Sequence, residues 1–270
     1  MVDSKMDPVS NILGIDKVNM DGKLILIEER HNSNANFVLN SVILNALSDN
    51  NGICFVLFHN TFNHYHNVGM KFGYNLKVLK AEGKVNIIEP MKIIGSNMES
   101  RNNEETCKLH ETSIKEISDV TNSISDSLFR IIKNEYYEMK KYHKNVIIVI
   151  DDMSHLYNLG FTLRESMCYL KLLRSLIECD NTSQLCVAIH TYDDKLQNCM
   201  ANIAVPILKY MAHLFVMIDS FETGYSSDVS GKITINWRID HIRKEHNWSE
   251  ISRYIYKVSD RQVKIYSPGQ

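Results

Sequence analysis

The fold is decided by residues 24–40, LILIEERHNSNANFVLN, in which four apolar residues lead through a polar loop into a second apolar run. The first run is typical of a strand buried on both faces, and the second predicts the start of a helix. Strand, loop and helix in this order form the frame in which many α/β proteins bind a nucleotide phosphate. The loop contains neither glycine nor lysine, so the frame comes without the residues that usually hold phosphate.

The same alternation of strand and helix recurs along the chain. Runs rich in β-branched residues predict strands at 23–28, 53–59, 85–88, 146–150, 185–190 and 214–219. Helices are predicted between them at 37–48, 64–72, 114–141, 163–179 and 203–211. Alternation of polar and apolar residues then predicts antiparallel strands at 232–238, 253–258 and 262–266. We therefore predict a doubly wound α/β fold, with a mainly parallel sheet flanked by helices and extended by C-terminal antiparallel strands.

The composition indicates one folded domain. The chain has 270 residues, 44% of them hydrophobic, which is enough for a single large core. We predict an N-terminal segment at 1–20, one domain at 21–270 and a mobile surface loop at 92–112, where the sequence is polar and aperiodic. The net charge of -2 gives no general attraction to nucleic acid or to an anionic membrane.

The six cysteines include no C-x-x-C pair, which is typical of a reduced intracellular protein. The N-terminus lacks the apolar region of a signal peptide. No apolar run approaches the roughly 20 residues that span a bilayer. We expect a protein of the cytoplasm or the nucleus without a membrane partner.

Strand 146–150 ends in Asp151 and Asp152, as a Walker B strand that positions magnesium does. A P-loop with the pattern G-x-x-x-x-G-K-[ST] is missing from the loop after the first strand. Without a phosphate cradle we interpret the pair as a remnant or as structural carboxylates that cap the following loop. We predict no catalytic residue and no cofactor for this chain.

Two further groups of residues could carry chemistry. Three histidines lie close together in the sequence: His59, His64 and His66. Imidazoles at such spacing can bind zinc, but we favour aromatic packing and loop hydrogen bonds, and predict no metal. Asp151, Ser154 and His155 are too close in sequence to form a nucleophile with an independent base, and no G-x-S-x-G elbow is present.

Basic residues are dispersed, and the densest local group lies near the end of the strand predicted at 232–238. We take four of them as candidate nucleic-acid contacts: Lys195, Arg238, Arg243 and Lys244. Lysine and arginine side chains bind RNA phosphates, and a solvated charged face is the alternative.

Four segments, in the same order, resemble the family formed by the sixth subunit of the Elongator complex. They are 53–76 (ICFVLFHNTFNHYHNVGMKFGYNL), 147–160 (IIVIDDMSHLYNLG), 222–238 (ETGYSSDVSGKITINWR) and 256–269 (YKVSDRQVKIYSPG). Four collinear segments are more specific than any one motif. They span most of the chain from Lys23 onward, with the poorest agreement across 91–143.

The resemblance implies a RecA-like fold that has lost its Walker A motif. In that family, subunits four, five and six share this fold and form a hetero-hexameric ring with two copies of each. The ring joins catalytic subunits one to three, which modify the wobble uridine of certain tRNAs at carbon 5. The resemblance thus implies a non-catalytic subunit that acts through ring assembly and tRNA binding. The loop that corresponds to the family's tRNA contact is Thr191–Asn202, which contains Lys195 and two aspartates.

Two alternatives stay open. One is a RecA-like enzyme that binds and hydrolyses ATP, using Asp151 or Asp152 with a phosphate cradle completed by neighbouring subunits. The sequence does not distinguish three candidate arginines for such a shared site: Arg164, Arg174 and Arg238. The other is a stand-alone RecA paralogue of DNA repair, and the resemblance around Gly224 and Trp237 argues against it.

Overall fold

The computed structural model describes residues 7–93, 114–192, 199–221, 229–259 and 262–267, except for the side chains of 114–123. The strands are β1 (Leu24–Glu29), β2 (Gly52–Val56), β3 (Val85–Ile88), β4 (Val146–Ile150), β5 (Ser183–His190), β6 (Leu214–Asp219), β7 (Gly231–Trp237), β8 (Ile251–Ser259) and β9 (Gln262–Tyr266). The helices are α1 (Pro8–Leu13), α2 (Asn36–Ser48), α3 (Phe62–Phe72), α4 (Leu76–Ala81), α5 (Ile114–Lys140), α6 (His155–Asn158), α7 (Leu163–Asp180), α8 (Met200–Met211) and α9 (Asp240–His246).

The strands form a nine-stranded sheet in the order β3-β2-β4-β5-β1-β6-β7-β8-β9. The first six strands in this order pair in parallel. The last three continue the sheet in antiparallel pairing from β6 outward. Because parallel strands share a direction, the carboxyl ends of β4, β5 and β1 lie side by side at one edge. The predicted α/β fold with C-terminal antiparallel strands is confirmed.

Helices cover both faces of the sheet, and alternate strand residues divide between two apolar cores. Ile25 and Ile27 of β1 pack in the core beneath helices α1 to α4 and α9. Leu24 and Leu26 of the same strand pack in the core beneath α5, α7 and α8. Burial on both faces explains why the central strands read as continuous apolar runs instead of alternating ones.

Several element boundaries differ from the predictions, and β2 shows why. The strand was predicted at 53–59, yet it ends at Val56. The backbone N–H groups of Phe58, His59 and Asn60 turn toward the carboxylate of Asp151 and leave the ladder. Helix α3 begins at Phe62, two residues before the predicted start, because Thr61 caps it through a bond from the His64 N–H.

Helices α1, α4, α6 and α9 were not predicted. Helix α1 lies within the predicted segment 1–20, and its Val9 and Leu13 are buried in the same core as β1. The Trp237 indole N–H donates to the Leu13 carbonyl at 2.8 Å, which links this helix to β7. Gly14 ends the helix with φ of +72°, and a Cβ there would lie 2.2 Å from the Trp248 ring. The division at residue 20 stays a prediction.

Of the loop predicted at 92–112, residues 92 and 93 are helical, as are 90 and 91 before them. Residues 94–113 lie outside the described part of the chain. Among the residues that the structure describes, no helix combines the length and the apolar character needed to cross a membrane.

Candidate functional site at the carboxyl ends of the strands

Asp151 and Asp152, which the sequence singled out, lie with Glu29 and His190 where the central parallel strands end. Glu29 is the last residue of β1, Asp151 and Asp152 follow β4, and His190 is the last residue of β5. In the register of the sheet, Glu29 lies directly opposite His190. This is the edge at which open α/β sheets bind ligands.

Asp151 organises the loop after β2. Its Oδ1 accepts the Phe58 N–H at 2.6 Å, and its Oδ2 accepts the N–H of Asn60 at 3.0 Å, while the His59 N–H lies 3.2 Å from both oxygens. Burial raises the pKa of Asp151 to about 6, and these backbone hydrogen bonds oppose the rise. With three backbone donors already on its oxygens, the carboxylate acts as a structural cap for this loop.

Asp152 is fixed through one of its oxygens. Oδ1 accepts the backbone N–H of Ser154 at 2.8 Å, the Ser154 hydroxyl at 2.5 Å and the backbone N–H of His190 at 3.2 Å. Oδ2 points toward the imidazole of His155, with 3.6 Å between the oxygen and Nε2. One oxygen therefore holds the loop between β4 and α6, and the other faces a histidine.

Glu29 accepts a backbone N–H at the N-terminus of α2, the kind of position at which many α/β proteins bind phosphate. Its Oε2 accepts the N–H of Ala35, the residue that caps α2, at 2.6 Å. Its Oε1 lies 3.1 Å from Nδ1 of His190, and this hydrogen bond raises the pKa of the imidazole. A helix N-terminus attracts anions because its N–H groups are unpaired and its dipole end is positive. Here the chain's own carboxylate meets that need.

The histidines group differently from their order in the sequence. His59, Asp152 and His155 place one potential ligand atom each within 4.8 Å of the other two. His59 Nδ1 and His155 Nε2 are 2.8 Å apart. Burial, together with His59 and His190, lowers the pKa of His155 while Asp152 opposes the change. His64 instead lies near Asn36, with 3.4 Å between Nε2 and the amide nitrogen.

His66 stacks on the Phe62 ring, so His64 and His66 both lie outside the group that could hold a metal ion. The His59 group was missed because its members come from the ends of two different strands. The signal that could have found it is the rule that β2 and β4, when parallel, end at one edge.

The candidate nucleic-acid contacts are spread over the surface. Arg238 is exposed, and its guanidinium donates to the Lys209 carbonyl and lies over the Tyr210 ring. Arg243 pairs with Asp240, and its other nitrogen lies 3.9 Å from Glu250. Arg238 and Arg243 line one surface cavity of about 570 Å³.

Lys244 is exposed on the same helix, α9, and lies outside the cavity lining, whereas Lys195 lies outside the described residues. Of the candidate arginines for a shared site, Arg164 is exposed, and Arg174 pairs with Glu178 at 2.6 Å. The structure brings two of the four predicted contacts together, and acidic partners neutralise one of them.

Comparisons with known proteins agree with this architecture. Elongator complex protein 6 of Rattus norvegicus is 24% identical over 270 residues, covering 97% of this chain and 96% of the relative. The protein of the same name from Homo sapiens is 22% identical and covers 92% of this chain and 91% of its own length.

Among solved structures, a KaiC-like protein from Pyrococcus horikoshii OT3 superposes with a TM-score of 0.55 at 12% identity, covering 91% of this chain and 90% of its own. At that identity the likeness shows the fold alone, which is of the KaiC and RecA-like type. The family model described as Elongation complex protein 6 matches residues 7–260. The chain therefore belongs to the family of Elongation complex protein 6.

Proposed function

We propose that this protein is a non-catalytic subunit of the hetero-hexameric accessory ring of Elongator. In this ring it would join subunits four and five, with two copies of each, and support wobble-uridine modification by catalytic subunits one to three. The ring would bind tRNA and work in the cytoplasm, and also in the nucleus. The observation that carries the proposal is the match to the family of Elongation complex protein 6. The outer face of α8 supports it, because it offers apolar surface for a neighbouring chain.

Helix α8 is apolar on both sides. Ala201, Ala204 and Leu208 are buried against the sheet. The outer face exposes four large apolar side chains, each about one helical turn from the next. Their exposed fractions are 45% for Met200, 43% for Ile203, 42% for Ile207 and 79% for Tyr210. We call these four residues the α8 stripe. A helix with one buried apolar face and a second, exposed apolar stripe is typical of one packed between two bodies, and the sheet provides only the first.

The carboxyl edge of the sheet supports a role without nucleotide chemistry. Glu29 accepts the Ala35 N–H at the α2 N-terminus, and Asp151 already accepts three backbone N–H groups. A triphosphate placed there would meet the carboxylate of Glu29 and would have to displace it. The rival proposal, an ATPase whose site is completed by neighbours, has to overcome this repulsion.

Contact with tRNA would come from exposed basic side chains. Arg238 and Lys244 are exposed and could meet a phosphate, whereas the charge of Arg243 is paired with Asp240. Lys195 remains a candidate on sequence grounds. Because phosphate contacts depend on salt, their replacement should reduce the salt dependence of tRNA binding by the assembled ring.

Native mass spectrometry of the chain, co-expressed with Elongator subunits four and five of its species, tests the assembly. We expect a six-chain species with two copies of this protein. Ile203→Asp should weaken assembly by at least about 30-fold, since it places a charge at the centre of an apolar contact. The control is Val78→Asp, which alters a side chain of similar exposure on α4, at 48%.

Two results would contradict the proposal. The first is a chain that stays alone beside well-folded partners. The second is equal assembly by the Ile203→Asp and Val78→Asp variants, which would remove the α8 stripe from the interface. Calorimetric titration of ATP into the single chain distinguishes the ATPase proposal from the non-catalytic one, because clear binding of ATP favours the enzyme.

A further inference from the structure

The group formed by His59, Asp152 and His155 has the composition and the spacing of a transition-metal site. The two imidazole nitrogens face each other at 2.8 Å, and the second lies 3.6 Å from Oδ2 of Asp152. We propose that these three side chains bind a divalent cation of the zinc class, with water completing its coordination. The site is separate from the α8 stripe and from the phosphate-like position of Glu29.

The dimensions of the group fit a tetrahedral ion. Zinc–nitrogen distances of about 2.0–2.1 Å place neighbouring ligands about 3.3–3.4 Å apart at the tetrahedral angle. The observed separations of 2.8 and 3.6 Å lie on either side of this value, and all three atoms lie within 4.8 Å of one another. Small side-chain movements would therefore produce the site without a change in the backbone.

The donor set selects the kind of ion. Two imidazoles and one carboxylate suit zinc, cobalt, nickel or ferrous iron, whereas magnesium and calcium prefer oxygen ligands. Three protein ligands leave a further position open to water. His59 is exposed, so that position is reached from the surface.

The neighbouring groups hold the ligands as metal sites require. Asp152 is only 7% exposed, and Ser154 and the His190 N–H fix its Oδ1, so that Oδ2 is directed at His155. Nδ1 of His155 lies 3.4 Å from the amide nitrogen of Asn158. If this amide is turned by a half rotation, its oxygen accepts Nδ1–H and leaves Nε2 free for the metal.

A simpler state explains part of the geometry. Two neutral imidazoles 2.8 Å apart can share one hydrogen bond without a metal. That state accounts for the pair of histidines, and the bonds to Oδ1 account for the direction of Asp152. A bound cation would use both arrangements, with the two imidazoles moved slightly apart. The cation would also join the loop after β2 to α6, beside the hydrogen bonds by which Asp151 holds that loop.

The test is metal binding by the purified full chain, measured as zinc competition with a chromophoric chelator and as the visible spectrum of the cobalt form. Wild type should bind one equivalent, and cobalt should give the intense bands of a four- or five-coordinate site. His59→Ala and His155→Ala should each weaken binding by more than the roughly 10–100-fold that loss of an outer-shell partner costs. Ser154→Ala, which removes such a partner, should cost about 10-fold.

His66→Ala is the matched control, since it removes a nearby imidazole from outside the group. Because His59 is exposed, its truncation leaves the core intact, and zinc should raise the Tm of wild type and of His66→Ala but not of His59→Ala. Equal zinc affinity in the His59→Ala and His66→Ala variants would overturn the proposal. A cobalt spectrum of the fully hydrated ion with wild type would overturn it too.

Discussion

The carboxyl edge of the sheet and the outer face of α8 differ in what they leave unpartnered. At the edge, the carboxylates of Glu29, Asp151 and Asp152 accept hydrogen bonds from backbone N–H groups of the same chain. On α8, Ile203 and Ile207 leave more than two fifths of their surface in water. The difference teaches that a nucleotide-binding frame can persist as a closed structural element while an adjacent apolar face stays available to a partner.

The two regions are nevertheless joined by a few contacts. Lys209 of α8 forms an ion pair with the buried Glu28 at 3.1 Å, and its carbonyl accepts from Arg238. A change at the edge could therefore reach α8 through Glu28. Substitutions at the carboxyl edge, combined with measurement of partner binding by α8, show how independent the two regions are.

The largest effect is expected from Asp151→Ala. The change leaves the N–H groups of Phe58, His59 and Asn60 without their acceptor in a buried place, and should cost about 3 kcal/mol of unfolding free energy. Urea unfolding measures this loss. Asp151→Asn should fall between the variant and wild type, because an amide keeps one oxygen acceptor but turns a donor toward other donors.

Association with subunits four and five should be unchanged per folded molecule of Asp151→Ala. If the folded variant loses its partners, the edge and the α8 stripe are coupled and the comparison fails. If unfolding free energy is the same in wild type and in Asp151→Ala, the three hydrogen bonds do not form in solution.

A smaller effect is expected from Glu29→Ala. The Ala35 N–H loses its acceptor and α2 loses a negative charge at its N-terminus, which together should cost about 1–2 kcal/mol. Glu29→Gln, which keeps an acceptor oxygen, should cost less. Thermal unfolding of wild type with magnesium and ATP should show no rise in Tm, because the phosphate position is already filled. A clear rise would reopen the enzyme alternative.

The sequence predicted the strands well where a local pattern of apolar residues defines them. Strands β3, β4, β6 and β9 have the predicted bounds because uninterrupted apolar or strictly alternating runs define them. The end of β2 escaped prediction because Asp151, 93 residues away, draws the backbone out of the ladder. Helix α9 escaped because Ile242 is its one buried residue, and a single apolar position has no periodicity.

The candidate site was only partly predictable for the same reason. Asp151 and Asp152 could be found from a strand that ends in carboxylates. The pairing of Glu29 with His190, which are 161 residues apart, depends on β5 lying next to β1, and sequence does not give strand order. The α8 stripe was not predicted because a helix with apolar residues on two sides does not show which side the sheet will cover.

The smallest effect concerns the residue that anchors α8 to the sheet. His213 follows α8. Its imidazole Nδ1 accepts the Leu24 N–H at 2.9 Å, and its backbone N–H donates to the Leu24 carbonyl at 2.9 Å. Burial lowers the pKa of His213, Arg174 and Lys23 lower it further, and Glu178 opposes them. A protonated Nδ1 cannot accept the Leu24 N–H, so the native anchor requires the neutral imidazole.

The sign of the pH dependence follows from this. The unfolded chain protonates His213 near pH 6.5 and the folded chain only at lower pH, so stability is full above about pH 6.5 and falls as pH decreases toward the folded pKa. His213→Asn supplies an amide oxygen that does not titrate, and should reduce the fall between about pH 7 and pH 5 by about 1 kcal/mol or less. Urea unfolding of both proteins across this range measures the difference, in which the other histidines cancel. Parallel curves would show that α8 does not depend on this anchor, whereas a fall in partner binding that His213→Asn removes would show that it does.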